Sequence, residues 1–133
     1  MKSLEEKIIR YAAGYEDILL VYLFGSRATE HTHSESDVDV ALMFRFNQIP
    51  SVEHLLQIQD DLTSLLGKEV DIVVLNNASP IIRMQVLRKG KKLFDRDKRA
   101  YIRFFVRTIN EYDDLKRVRS VIEKKIARGR IYG

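Results

Sequence analysis

The sequence contains no cysteine. A disulfide framework, a zinc–thiolate centre, an iron–sulfur cluster and a cysteine nucleophile are therefore excluded. Long apolar runs are missing as well, since none approaches the roughly 18 residues that a membrane-spanning helix needs. The opening residues, Met1-Lys2-Ser3-Leu4-Glu5-Glu6, carry acids where a secretory leader would carry an apolar segment. No internal repeat, low-complexity segment or linker interrupts the chain. These absences set the expectation of a cytoplasmic protein, with no membrane partner, whose chemistry rests on oxygen ligands.

What remains is a chain of 133 residues, 45% hydrophobic and 32% charged. That composition describes one globular domain able to bury a core without covalent staples. The formal net charge of +4 hides a division. Residues 1–95 hold 11 basic and 14 acidic side chains, and residues 96–133 hold 12 basic and 5 acidic ones. An acidic body of charge −3 thus carries a basic tail of charge +7.

The pattern along the chain predicts an α/β architecture. Leu4, Ile8, Ile9 and Ala12 recur at helical spacing up to Gly14. Ile18 to Phe24 is an unbroken apolar run, expected as a strand buried on both faces. The polar stretch from Gly25 to Ser36 is expected to form a short helical turn and an exposed loop, and Asp37 to Met43 a second strand. Pro50-Ser51 opens a helix with Ser51 as its N-cap, and its expected apolar face is Leu55, Leu56, Ile58, Leu62, Leu65 and Leu66. Val70 to Leu75 reads as a third strand. Ser79-Pro80 is an N-cap followed by proline at the first helical position, and that helix runs to Gly90. Lys92-Leu93-Phe94 fits a short edge strand. Neither proline nor glycine breaks the chain from Asp97 to Arg128, where apolar residues from Tyr101 to Ile126 step in threes and fours. That segment reads as one long amphipathic helix, about 45 Å at 1.5 Å per residue, longer than a domain of this size is wide. Its distal stripe, Leu115 to Ile126, is expected to want a partner.

Three features suggest chemistry. Gly25-Ser26 lies where a buried strand passes into a turn, so backbone and hydroxyl can approach phosphate oxygens. Asp37 and Asp39 are two apart on a strand and so point to one face. Adjacent carboxylates repel unless a cation lies between them, and hard oxygen ligands suit Mg²⁺. Asp71 would add a third carboxylate if its strand lies beside that of Asp39. Three carboxylates near a phosphate-binding turn suit two-metal phosphoryl or nucleotidyl transfer. Arg27 stands equally as a phosphate contact or a solvated turn residue. Arg83 and Arg88 read more as surface residues than as nucleotide contacts. His31, His33 and Glu35 read as solvated loop residues, and Glu69 as an exposed acid at a strand end.

Gly25-Ser26, ten intervening residues, then Asp37-Val38-Asp39 form a GS-x10-DxD signature. With Ser26-Arg27-Ala28, Asp71-Ile72-Val73-Val74 and the segment Ser79 to Phe94, the chain resembles the DNA polymerase beta-like nucleotidyltransferase superfamily in its minimal (MNT) form. The resemblance covers roughly residues 4–95. It implies a nucleotidyltransferase fold with a small mixed sheet flanked by helices, a catalytic domain over residues 1–95, and a basic helical extension over 96–133 within the same unit. It further implies ATP bound with its triphosphate against Gly25, Ser26 and Arg27. Two Mg²⁺ ions would be held by Asp37, Asp39 and Asp71, and AMP transferred with release of pyrophosphate.

The charged C-terminal helix resembles, more loosely, that of MNT antitoxins paired with HEPN-domain ribonuclease toxins. That likeness implies a HEPN toxin as partner, bound through the helix and modified by AMP on a tyrosine. The alternatives are transfer to a small molecule or to RNA, inhibition of the toxin by binding alone, and simple RNA binding through the basic helix. Direct nucleic-acid binding is the less favoured of these.

Overall fold

The computed structural model describes residues 3–24 and 38–132, with side chains through Ala127. In chain order the elements are α1 (Leu4–Ala13), β1 (Ile18–Phe24), β2 (Val38–Phe44), α2 (Val52–Leu66), β3 (Val70–Val74), α3 (Pro80–Lys89), β4 (Lys91–Asp95) and α4 (Lys98–Tyr132). The strands form one sheet in the order β3-β2-β1-β4. β1 is antiparallel to β2 and β4, whereas β2 and β3 are parallel, so the sheet is mixed as expected. The helical turn expected between β1 and β2 lies outside the described residues.

Local chemistry sets the element boundaries. Ser3, Ser51 and Ser79 each cap a helix by accepting the N–H three residues on, from Glu6, His54 and Ile82. α2 stops at Gly67, whose φ of 68° lies in the left-handed region that glycine adopts without steric cost. Gly90 has another reason to be glycine. A Cβ there would stand 2.4 Å from the Val86 carbonyl oxygen and 3.4 Å from that of Leu23, so the end of α3 closes directly onto β1.

Two apolar layers enclose the sheet. On one face, Ile8 and Ala12 of α1 and Ile58 and Leu62 of α2 pack on Val21, Leu23, Val40 and Leu42. On the other, Val86 of α3 and Ala100 and Phe104 of α4 pack on Leu20, Tyr22 and Ala41. β1 is central and covered on both sides, which explains its unbroken apolar run. The expected face of α2 was too broad. Leu56 is 56% exposed because two residues rotate it about 200° from Ile58, and Leu65 in the final turn is exposed too.

Two arginines join the layers. The Arg96 side chain, between β4 and α4, donates from Nε to the Ile18 carbonyl and from Nη2 to those of Ala12, Ala13 and Tyr15. It closes the end of α1 and fixes the root of α4. Arg83 of α3 is 4% exposed. Its Nε donates to the Ala78 carbonyl and its Nη2 to Glu111 of α4, which also accepts from Arg107. Those hydrogen bonds, from Arg107 first and then Arg83, hold the Glu111 carboxyl below the usual carboxylate range.

α4 behaves as two halves. Up to Tyr112 it sets Ala100, Phe104 and Thr108 inward, whereas every residue from Asp113 to Ala127 is exposed. Thirty-five residues in one helix extend about 52 Å, and the body covers only the first part.

Arg96→Ala should strip four carbonyls of a charged donor. Urea unfolding should then show a loss of about 2–3 kcal/mol. Glu111→Gln should lower stability at neutral pH. The carboxylate's contribution exists above the ordinary glutamate range, about 4.3, and is lost as pH falls through the depressed folded value. The stability difference between Glu111→Gln and wild type should therefore shrink in acid.

Candidate functional site

The sheet register places three residues in one row. Phe24 of β1 is opposite Asp39 of β2, and Asp39 is opposite Asp71 of β3. Residues directly opposite on neighbouring strands share a face, with strands about 4.8 Å apart. Asp39 and Asp71 therefore present carboxylates side by side, on the face that α3 and α4 cover further along the sheet. Two residues inward, the next row is Tyr22, Ala41 and Val73, which is apolar apart from the Tyr22 hydroxyl. The acidic row thus stands at the mouth of the core, where β1 ends and β2 and β3 begin. Asp39 is half-buried and Asp71 exposed.

Backbone contacts fix this register. The Val38 amide donates to the Glu69 carbonyl at 2.9 Å, and the Val70 amide donates to Thr63 Oγ1 of α2 at 3.3 Å. Glu69 therefore contributes through its carbonyl at the entry to β3. At the far end, Asn76 continues the ladder with its side chain. Its Oδ1 accepts from the Phe44 amide and its Nδ2 donates to the Phe44 carbonyl, at 2.9 and 2.8 Å. Both ends of β3 are thereby pinned to β2.

Of the residues singled out in the sequence, the structure brings Asp39 and Asp71 together. Gly25, Ser26, Arg27, His31, His33, Glu35 and Asp37 lie outside the described residues. Among the described residues no group of three histidine, aspartate or glutamate side chains converges. The donor set that is described, two carboxylates in register at an open sheet end, fits a hard divalent cation. Arg83 departs from its reading as a surface residue. It is buried and committed to Ala78 and Glu111, because α4 crosses α3 there. Arg88 lies with its guanidinium 5.4 Å from the Tyr112 ring centroid, a cation–π contact with α4. Arg96 and Glu111 had no role in the sequence reading. The i,i+4 spacing of Arg107 and Glu111 was the visible signal for one of them.

Paired carboxylates at the open end of a mixed sheet suit phosphate transfer that works through hard cations. Comparison with known proteins makes this specific. The family model for polymerase beta nucleotidyltransferases matches residues 6–99. The chain belongs to that nucleotidyltransferase family. It is similar to the protein adenylyltransferase MntA of Shewanella oneidensis, with 31% identity over 119 residues, covering 89% of this chain and 84% of the relative. Among solved structures it is similar to a chain in a toxin–antitoxin crystal structure with AMP-PNP. That match has a TM-score of 0.78 and 30% identity, and covers 92% of this chain and 98% of the other. A second similar structure is of the tri-AMPylated Shewanella oneidensis HEPN toxin in complex with MNT antitoxin. Its TM-score is 0.73 at 28% identity, with 93% of this chain and 96% of the other covered. No helix among the described residues is long and apolar enough to cross a membrane.

Like charges placed directly opposite on neighbouring strands destabilise a sheet. In buffer containing EDTA, Asp71→Asn should therefore stabilise the protein by about 0.2–1 kcal/mol, read as a higher urea midpoint. A lower midpoint would mean that Asp71 is held by interactions the register does not reveal.

Proposed function

We propose that this chain is an antitoxin that transfers AMP from ATP to a tyrosine of a partner HEPN-domain ribonuclease toxin and thereby neutralises it. The observation that carries the reading is the Asp39–Asp71 register at the sheet end where β1 runs into Gly25-Ser26. It occurs in a chain similar along most of its length to a protein adenylyltransferase and to toxin–antitoxin structures. The reading places the protein in the cytoplasm, with ATP as substrate.

Each residue has a defined task. Backbone amides at Gly25 and Ser26, with the Ser26 hydroxyl, receive the triphosphate, and Arg27 offers a guanidinium to its outer phosphates. Asp37, Asp39 and Asp71 would hold Mg²⁺, two ions in the full site. Bound there, the metal would supply charge neutralisation for the attacking and leaving oxygens and would ease ionisation of the attacking hydroxyl. In this reading Asp71, exposed at the rim, accepts the proton as the tyrosine oxygen attacks the α-phosphorus. The bond to the β-phosphate oxygen breaks, pyrophosphate leaves, and a phosphodiester joins AMP to the tyrosine. A bulky anion near the toxin's catalytic pocket would repel its RNA substrate.

Within this reading, residues 1–95 form the catalytic part and residues 96–133 the docking extension. Leu115, Val118, Ile122 and Ile126 are all exposed on α4, an apolar stripe that the described residues leave uncovered.

The test is incubation of the protein with labelled ATP, Mg²⁺, the purified toxin, RNA and candidate small molecules. Label should appear on the toxin, should map to a tyrosine by mass spectrometry, and should vanish with EDTA. Label found only on RNA or on a small molecule would overturn the reading. Asp39→Asn should reduce transfer by about 10²–10³-fold or more while leaving the toxin complex intact. If Asp39→Asn protects cells as well as wild type, binding alone is the mechanism.

A further inference from the structure

A groove of about 590 Å³ opens at the opposite end of the sheet from the acidic row, between the β2–α2 loop, the turn after β3 and the first half of α4. Its floor is apolar, with Leu75 and Phe104 buried at its base. Phe46 and Ile49 stand at its rim, and Phe46 is 87% exposed. This exposure is built into the backbone. The Gln48 amide donates to the Arg45 carbonyl at 2.9 Å, closing a tight turn with Phe46 and Asn47 at its corners. Asn47 takes the positive φ of 68° at the third position, where asparagine is one of the few tolerant residues. The Arg45 amide anchors the turn to the Asp17 carbonyl at 2.8 Å. A rigid turn therefore holds a large aromatic ring in water beside an apolar floor.

The charge around the groove is one-sided. Arg83, Arg103 and Arg107 all line it. A single carboxylate, Glu111, is shared by Arg83 and Arg107. Arg103 has no carboxylate partner among the described residues. The surplus of guanidinium over an apolar floor complements a ligand that is both apolar and acidic. Protein segments with an aliphatic or aromatic anchor flanked by aspartate or glutamate have that character.

We infer that this groove is a second docking surface for the toxin, and that it takes an acidic segment whose apolar anchor sits against Phe46 and Phe104 while its carboxylates meet Arg103 and Arg107. The inference rests on the functional reading above and adds where the partner is gripped. Asp39 and Met43, the latter at the groove, are four positions apart on β2, about 13 Å along the strand. A segment held there leaves the acidic row open to a tyrosine from another part of the same partner. Binding energy gathered at a distance from the reacting atoms then orients the acceptor.

The experiment uses the full chain and the purified toxin. Phe46→Ser combined with Arg103→Glu changes exposed side chains, so the melting temperature should match wild type. Calorimetry should show toxin binding at least 10-fold weaker. In AMP transfer, KM for the toxin should rise by a similar factor, with kcat at saturating toxin within about twofold. Arg10→Glu, the same charge change at an exposed position of α1, should leave binding unchanged. Wild-type affinity in the double variant overturns the inference. So does retained toxin affinity with loss of binding to a single-stranded RNA oligomer, which would assign the groove to nucleic acid. If the wild-type chain binds toxin but transfers no AMP, the enzymatic reading fails while the groove is judged by the binding result alone. If the wild-type chain binds no toxin, both fall.

Discussion

The parallel pairing of β2 with β3 is the constraint on which the rest depends. A one-residue slip in a strand moves every side chain to the other face. Here such a slip would turn Asp71 into the apolar layer and Val70 out of it. The register is held where slippage would start, by the Val38 amide on Glu69 and by Thr63 on Val70, and again at the exit by Asn76 on Phe44. Burial of Val70 and Val40 on one face and Ala41 on the other makes the pairing self-consistent. The acidic pair is thus placed by hydrophobic patterning, with no need for the carboxylates to attract each other.

Much of this was legible in the chain. Serine caps, the glycine after α2 and the apolar run of β1 are local signals, and local physics decides them. The family resemblance rested on Gly25-Ser26, Asp37-x-Asp39 and Asp71 at fixed spacing, and the family match over residues 6–99 agrees with it. What the chain could not reveal depends on neighbours. Arg83 looks like any helix-surface arginine until α4 crosses it, and Arg96 looks like a charge in a basic tail until its guanidinium meets four carbonyls. Leu56 counts as apolar in the pattern of α2 but has no layer above it. Helical periodicity reports which residues share a side, not how wide a neighbour that side will meet.

The division of charge follows the division of the molecule. The acidic body includes the carboxylates read as metal ligands, whose repulsion a bound cation would offset. The basic tail lies on α4, where Arg103 and Arg107 face the groove and the later basic residues ride on the exposed half. The two ends of the sheet therefore carry opposite electrostatic character, one suited to metal and phosphate and the other to an acidic protein surface.

The uncovered half of α4 has a consequence for the lifetime of the molecule. Among the described residues little tertiary packing shields its backbone hydrogen bonds, and helices without such packing are only marginally formed in water. A helix segment with few buried contacts opens locally at low free energy, and opening of this kind is what proteases exploit. A partner lying along the stripe would close that route. The half-life of the chain would then read out whether the stripe is occupied, and would lengthen as more of a partner became available to cover it.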